Sequence, residues 1–217
     1  LTRLEPARTM PVSNVIDRPL LIITLCIWTY WLVGIALVLR NRFIAGSPAG
    51  VIPRERIERY MWLLWVPLIV LWNLLPALAM RKDDPPWALP AFAAASTWIT
   101  ALRWLAACLG VAALLMTISC WFTMGRSWRV AIVPGEKTML VTSGLFRFVR
   151  HPIYALSCLL IACSAIVLPT WPMIAVAITH IALMNIKARR EEEFLRGVHG
   201  EAYENYVRRT GRFLPRM

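Results

Sequence analysis

Four stretches of this sequence run for about twenty residues or more without a charged side chain, a length that lets an α-helix cross a membrane. Pro19 to Leu39, Met61 to Met80 and Trp104 to Gly125 are three of them, and Pro152 to Ile186 is the fourth and longest. At a rise of about 1.5 Å per residue, each of the first three matches a hydrocarbon core of about 30 Å. The fourth is too long for one crossing. Pro169-Thr170-Trp171-Pro172 divides it, so it reads as a tight helical hairpin with arms Pro152 to Leu168 and Pro172 to Ile186. Its second arm is short and is expected to continue as helix into water.

Composition agrees with this reading. Hydrophobic residues make up 59% of the 217 and charged residues 17%, whereas soluble domains run near about 45–50% and about 25%. The expected fold is an all-α integral membrane protein of about five transmembrane helices, with a C-terminal helical hairpin and a cytoplasmic loop and tail. Arg103, just before the third run, is placed at the interface because an arginine at mid-bilayer is costly. Residues 87–102 are uncharged but short, rich in small residues and preceded by Pro85 and Pro86. They read as a re-entrant or interfacial segment, with a sixth crossing as the alternative. The first run has no small-residue cleavage site and reads as a retained span.

The formal net charge of +12 would suit a nucleic-acid binder, but its distribution argues against one. With five crossings, the N-terminal segment, the 81–103 connection and the hairpin tip share 6 Lys and Arg. The 40–60 and 126–151 connections and the tail share the other 18. By the positive-inside rule the second group faces the cytoplasm. This places the N-terminus outside or in a lumen and the C-terminus inside, in a bacterial inner membrane or an endoplasmic reticulum. The charge is a topology signal and an attraction to anionic lipid, and the expected partner is the lipid bilayer rather than nucleic acid.

Several chemistries lack their motifs. The sequence has no G-x-G, G-x-S-x-G or H-E-x-x-H, so dinucleotide, P-loop, serine-hydrolase and zincin readings have nothing to stand on. Five cysteines, all in predicted spans and without C-x-x-C spacing, read as small buried hydrophobes. No metal site is expected.

Two polar segments remain on the predicted cytoplasmic face. In the first, Arg150 and His151 precede Pro152, which suits the first turn of a helix. Backbone N–H groups, the helix dipole and a guanidinium would converge there on a carboxylate or phosphate. An interfacial arginine that merely snorkels is the other reading, and these residues alone leave both open. The second segment runs Lys187-Ala188-Arg189-Arg190-Glu191-Glu192-Glu193. Lys187 with Glu191, and Arg189 with Glu193, are one turn apart and share a face. Read alone, it is a solvated helix end laced with ion pairs, or a set of carboxylates able to hold an ammonium.

The two segments together carry a resemblance. Arg150-His151-Pro152-x-Tyr154, a hydrophobic hairpin, Glu191-Glu192-x-x-Leu195, Gly200-x-x-Tyr203-x-x-Tyr206 and Arg212-Phe213-Leu214-Pro215 follow in order. Gly125-Arg126-Ser127-Trp128-Arg129 and Leu140-Val141-Thr142-Ser143-Gly144 lead into them. The whole resembles the integral membrane methyltransferases of the isoprenylcysteine carboxyl methyltransferase and phospholipid methyltransferase superfamily, over roughly residues 104–217. That divides the chain into N-terminal membrane helices, 1–103, and a methyltransferase core, 104–217.

The resemblance implies S-adenosyl-L-methionine as methyl donor, leaving S-adenosyl-L-homocysteine, and a lipophilic acceptor. It implies a cofactor pocket lined by Thr138, Met139, Leu140, Val141, Phe146, Arg150, His151, Pro152, Ile153 and Tyr154. Glu191 and Glu192 correspond to the family's paired acids. Lys187 stands where the isoprenylcysteine branch has a substrate-facing Arg, and Leu156 stands where the family usually has Gly. The implied activity is isoprenylcysteine-type carboxyl O-methylation, in which Lys187 would orient the carboxylate. The alternatives are a phospholipid amine N-methyltransferase, in which Glu191 would hold the ammonium, and, further off, a membrane reductase or a non-catalytic membrane protein.

Overall fold

The computed structural model describes residues 16–43, 56–81, 87–125 and 139–216, with backbone alone at 56–58 and 94. Seven α-helices follow one another among them: α1 (Arg18–Phe43), α2 (Arg56–Ala79), α3 (Ala91–Ala95), α4 (Thr97–Met124), α5 (Pro152–Val167), α6 (Trp171–His199) and α7 (Glu201–Arg209). A 3-10 turn, Gly144–Arg147, precedes α5. Four of the helices, within α1, α2, α4 and α6, are long and apolar enough to cross a membrane, and α5 is a shorter apolar helix. The protein is an all-α integral membrane protein.

Its surface shows the same thing. Leu25, Leu32, Leu63, Leu105, Leu115, Phe122 and Ile178 all expose large apolar side chains, a pattern that suits lipid and not water. Inside, α4 packs along α5 and α1 through a stripe of small residues, Ala106, Ala107, Gly110, Ala113 and Thr117, all buried. At Gly110 an added Cβ would lie 2.5 Å from Ile23 Cδ1. Small residues at such a crossing let the helix backbones approach closely where no hydrophobic effect drives them together.

The hairpin forms as the sequence predicts. Thr170 caps α6 by accepting a hydrogen bond from the Met173 amide at 3.4 Å, and Pro172 sits in the first turn. Trp171 stands exposed at the tip. Beyond Ile186, where the apolar stretch ends, α6 runs on to His199, so its charged half is a continuation of a crossing helix. The 87–102 segment holds only the five-residue α3 before a break at Ser96, far too short to cross.

Two expectations need correction. Arg103 does not precede the third crossing helix: α4 begins six residues earlier, and Arg103 is 2% exposed within it. Its Nη2 meets Asp17 at 2.7 Å, its Nε donates to the Val167 carbonyl at 2.9 Å, and its Nη1 reaches the Ala93 carbonyl at 3.5 Å. Asp17 also accepts from the Leu20 amide at the start of α1. The charge is thus met inside the protein, at the end of the bundle where α1 begins and α5 ends. Among the cysteines, Cys26, Cys120 and Cys163 are buried as expected, but Cys108 is exposed on an apolar face of α4 beside Leu105 and Leu109.

Candidate functional site

The site is assembled at the end of the bundle opposite the hairpin tip, where α5 begins and α6 leaves its apolar stretch. Pro152 opens α5, and His151 is its N-cap, extended in φ and without a side-chain cap. The residues just before it pair with the chain after α7. Arg150 N donates to Gly211 O at 2.8 Å, His151 N to Arg212 O at 3.1 Å, and Gly211 N to Phe148 O at 3.2 Å. This short parallel bridge requires glycine at 211, because a Cβ there would fall 1.8 Å from the Leu214 carbonyl oxygen. Tyr206 donates its hydroxyl to the Phe146 carbonyl, fixing α7 on the 3-10 turn.

Glu192 ties three segments into one unit. It is 1% exposed on α6. It accepts from Arg150 Nε at 3.0 Å, and from Arg212 Nε at 3.0 Å and Nη2 at 2.7 Å, the latter two as a fork on both oxygens. His151 Nε2 lies 3.4 Å away. Arg150 also donates through Nη1 to the Thr210 and Val207 carbonyls. Burial opposes the charge on Glu192, but His151, Arg212 and Arg150 outweigh it and hold its carboxyl well below the usual carboxylate range. The same contact raises the Arg212 guanidinium further. Beneath this unit Tyr203 is buried, and burial first, then the Glu192 charge, pushes its phenol up; Tyr206 is pushed up to about 12 by burial. Both stay neutral, and Tyr206 keeps its proton for the Phe146 carbonyl.

Glu191 belongs to a different arrangement, more open, with 23% of its side chain exposed. One oxygen accepts from the Tyr154 hydroxyl, and the other is 3.6 Å from His151 Nδ1. The His151 and Tyr154 rings stack at 5.4 Å between centroids and 5° between planes. The Lys187 ammonium lies 5.6 Å from the Tyr154 ring centroid and 5.1 Å from that of Trp65 on α2. An acid, two parallel ring faces and an ammonium therefore meet where the apolar hairpin ends.

The structure brings Arg150, His151, Pro152, Tyr154, Lys187, Glu191 and Glu192 together, on the first turn of α5 and the facing side of α6. Ile153 packs half-buried against the core beside them. Phe146 is buried in the core and offers its carbonyl, not its ring, to α7. Leu140 and Val141 are half-buried on the segment entering the 3-10 turn, and Met139 is exposed. Thr138 and the 126–129 motif lie outside the described residues.

Arg150 neither snorkels nor turns its whole guanidinium to an anion at the start of α5, since its Nε donates to Glu192 and its Nη1 to two tail carbonyls. The charged part of α6 is solvated and ion-paired on one side, where Arg189, Arg190 and Glu193 are exposed and Glu193 pairs with Arg190 at 3.7 Å rather than with Arg189, while Glu192 faces inward. Trp65 and Arg212 were not foreseen in these positions. Arg212 had a signal in the terminal Arg-Phe-Leu-Pro motif; Trp65, one tryptophan among eleven, had none.

Known proteins resemble this chain in the same region. Residues 105–196 match the profile described as the isoprenylcysteine carboxyl methyltransferase (ICMT) family. The nickel-cobalt-cadmium resistance protein NccN of Alcaligenes xylosoxydans xylosoxydans is 32% identical over 122 residues, 56% of this chain and 54% of that protein. The cobalt-zinc-cadmium resistance protein CzcN of Cupriavidus metallidurans is 32% identical over 123 residues, 56% of this chain and 53% of that one. The chain spans about half the length of these curated relatives.

Proposed function

We propose, for a chain whose residues 105–196 match the ICMT family, that it transfers a methyl group from S-adenosyl-L-methionine to a lipophilic acceptor at the membrane boundary. The observation that carries this reading is the Glu191, Tyr154 and His151 arrangement beside Lys187, at the junction of apolar and charged α6. The donor carries a sulfonium, an ammonium, a carboxylate and an adenine ring. Glu191 suits a positive group of that kind, the stacked His151 and Tyr154 faces suit a cation or a flat ring, and the uncapped first turn of α5 suits a carboxylate.

When bound, the donor supplies an activated methyl whose bond to sulfur breaks as a bond to the acceptor's nucleophilic atom forms, leaving a neutral thioether. The protein's share is alignment and exclusion of water. In this reading Glu191 and Tyr154 fix the donor's position. Lys187 draws in and orients an anionic nucleophile. Glu192 acts one step back, by fastening α5, α6 and the tail so that Glu191 and Tyr154 keep their spacing. Among acceptors we favour an isoprenylcysteine-type carboxylate over a phospholipid amine, because a cation, the Lys187 ammonium, lies 5.6 Å from the Tyr154 ring just past the apolar part of α6. The tail end is taken as cytoplasmic, following the arginine and lysine bias. The relatives' names give metal resistance as the physiological setting to examine for this activity.

Calorimetric titration of the detergent-purified protein with S-adenosyl-L-homocysteine tests the reading. Saturable binding with a Kd in the micromolar range, about −8 kcal/mol, is expected. No heat of binding up to millimolar ligand would end it.

A further inference from the structure

Beneath the candidate site, inside the apolar stretches of α5 and α6, a polar contact joins the two helices. His180 of α6 and Ser157 of α5 are both buried, and Ser157 Oγ lies 2.8 Å from His180 Nε2. An ionisable side chain within a membrane-crossing helix is costly and marks a place where something specific is held. The other ring nitrogen, Nδ1, is sealed from solvent and has no hydrogen-bond partner among the described residues. The ring proton therefore belongs on Nε2, where the Ser157 oxygen accepts it; the other tautomer would bury an N–H with nothing to receive it.

Neighbouring helices hold both members in place. Trp72 of α2, fully buried, lies against the His180 ring at 5.1 Å between centroids and 56° between planes. Its indole N–H donates to Ser164 Oγ at 3.1 Å, and Ser164 donates in turn to the Leu160 carbonyl at 2.8 Å. From α1, Tyr30 faces Ser157, and its ring centroid lies 6.2 Å from that of Trp72. Tyr154 stands one turn before Ser157 on the same face of α5. On α6, Lys187 follows His180 by two turns and Glu191 by three, again on one face.

We propose that Ser157 and His180 are positioning residues of the donor site: their hydrogen bond sets the register of α6 against α5, so that Glu191 of one helix meets Tyr154 of the other. The proposal rests on the methyltransferase reading for what that meeting serves, but the meeting itself can be measured apart from it. The fastening at Glu192 holds α6 near its tail end, and a helix held near one end can still swing about that point. His180 lies twelve residues away, about 18 Å along the helix, and a second fixed point there removes the freedom. Sliding α6 by one turn, about 5.4 Å, would pull His180 off Ser157 and strand its N–H between helices, where no water replaces the bond. Apolar residues at these two positions would pack in several registers, whereas a hydrogen-bonded pair fits one. Neither residue touches the donor; both act through Tyr154 and Glu191.

The test labels the five tyrosines of the full, detergent-purified chain with 3-fluorotyrosine. It follows the Tyr154 fluorine resonance, identified by its loss in Tyr154→Phe, beside the calorimetric affinity for S-adenosyl-L-homocysteine. His180→Leu is expected to move that resonance toward its position in Glu191→Gln and to weaken the donor analogue about fivefold. His180→Gln, whose amide nitrogen can donate to Ser157 in place of Nε2, should leave the resonance unmoved and the affinity within about twofold. Ser157→Ala should act as His180→Leu does, at about threefold, and carries the test if the leucine variant does not fold. A pair that served stability alone would lower the melting temperature and leave the Tyr154 resonance in place. An unmoved resonance, or an unchanged affinity, in both His180→Leu and Ser157→Ala would overturn the proposal. Failure of the unmodified protein to bind S-adenosyl-L-homocysteine would instead remove the methyltransferase reading, and the fluorine resonance then decides by itself whether the pair sets the Tyr154–Glu191 contact.

Discussion

The two ends of the helix bundle each hold an arginine paired with a carboxylate, and they use it differently. At the hairpin-tip end, Arg103 spends its donors on Asp17 and on the carbonyls of Val167 and Ala93. The result joins α1, α4, α5 and the segment of α3, and no second polar layer stands beside it in the described residues. At the tail end, Arg150 and Arg212 close on Glu192 in the same manner, but a second acid, Glu191, lies next to them with Tyr154, His151 and Lys187 around it. A buried ion pair therefore marks a fastening, not a function. What distinguishes the tail end is a fastening with a more open acid and two ring faces supported on it.

Breaking each fastening should separate these roles. Glu192→Gln leaves two guanidinium groups facing a neutral amide, and the loss of a buried partner costs about 3 kcal/mol. The expected outcome is a clearly lower melting temperature in detergent together with loss of S-adenosyl-L-homocysteine binding. Asp17→Asn at the other end removes one partner of a partly exposed pair and should cost about 1–2 kcal/mol. Its donor-analogue affinity should stay within about twofold, since sites this far apart add independently. A large affinity loss in Asp17→Asn would mean that the two ends are coupled.

Milder changes sharpen the picture. Gly211→Ala forces the tail off Leu214 O and should displace the Arg212 fork with little effect on the apolar helices. Donor-analogue binding is expected to weaken about tenfold, or about 1.4 kcal/mol, with a melting temperature lowered by less than in Glu192→Gln. Tyr154→Phe keeps the ring against His151 but removes the hydroxyl that Glu191 accepts. A loss of about 1 kcal/mol, read as a roughly fivefold lower rate of methyl transfer from labelled donor, is the smallest of the four effects.

Much of this architecture was legible because a charge-free run of membrane length admits few structures. The hairpin, its proline-bounded tip and the continuation of α6 past Ile186 all follow from where charges and prolines fall. The partners of Arg103 were not legible, because nothing in the sequence shows that Asp17, 86 positions earlier, would meet it. The same blindness to distant partners affected Arg150 and Glu192. Spacing shows which residues share a helix face; it does not show that one of two adjacent acids turns inward to a tail while its neighbour faces a ring. Trp65 is the extreme case, since its place beside Lys187 depends wholly on how α2 lies against α6.

The central claim is that the tail end binds the methyl donor and the hairpin-tip end does not. Hydrogen exchange of the purified protein with and without saturating S-adenosyl-L-homocysteine tests it most directly. The account predicts slowed exchange in residues 148–155 and 207–213, and no change in residues 16–20 and 97–103. Unchanged exchange at the tail end in the presence of bound ligand, or equal slowing at both ends, would contradict it.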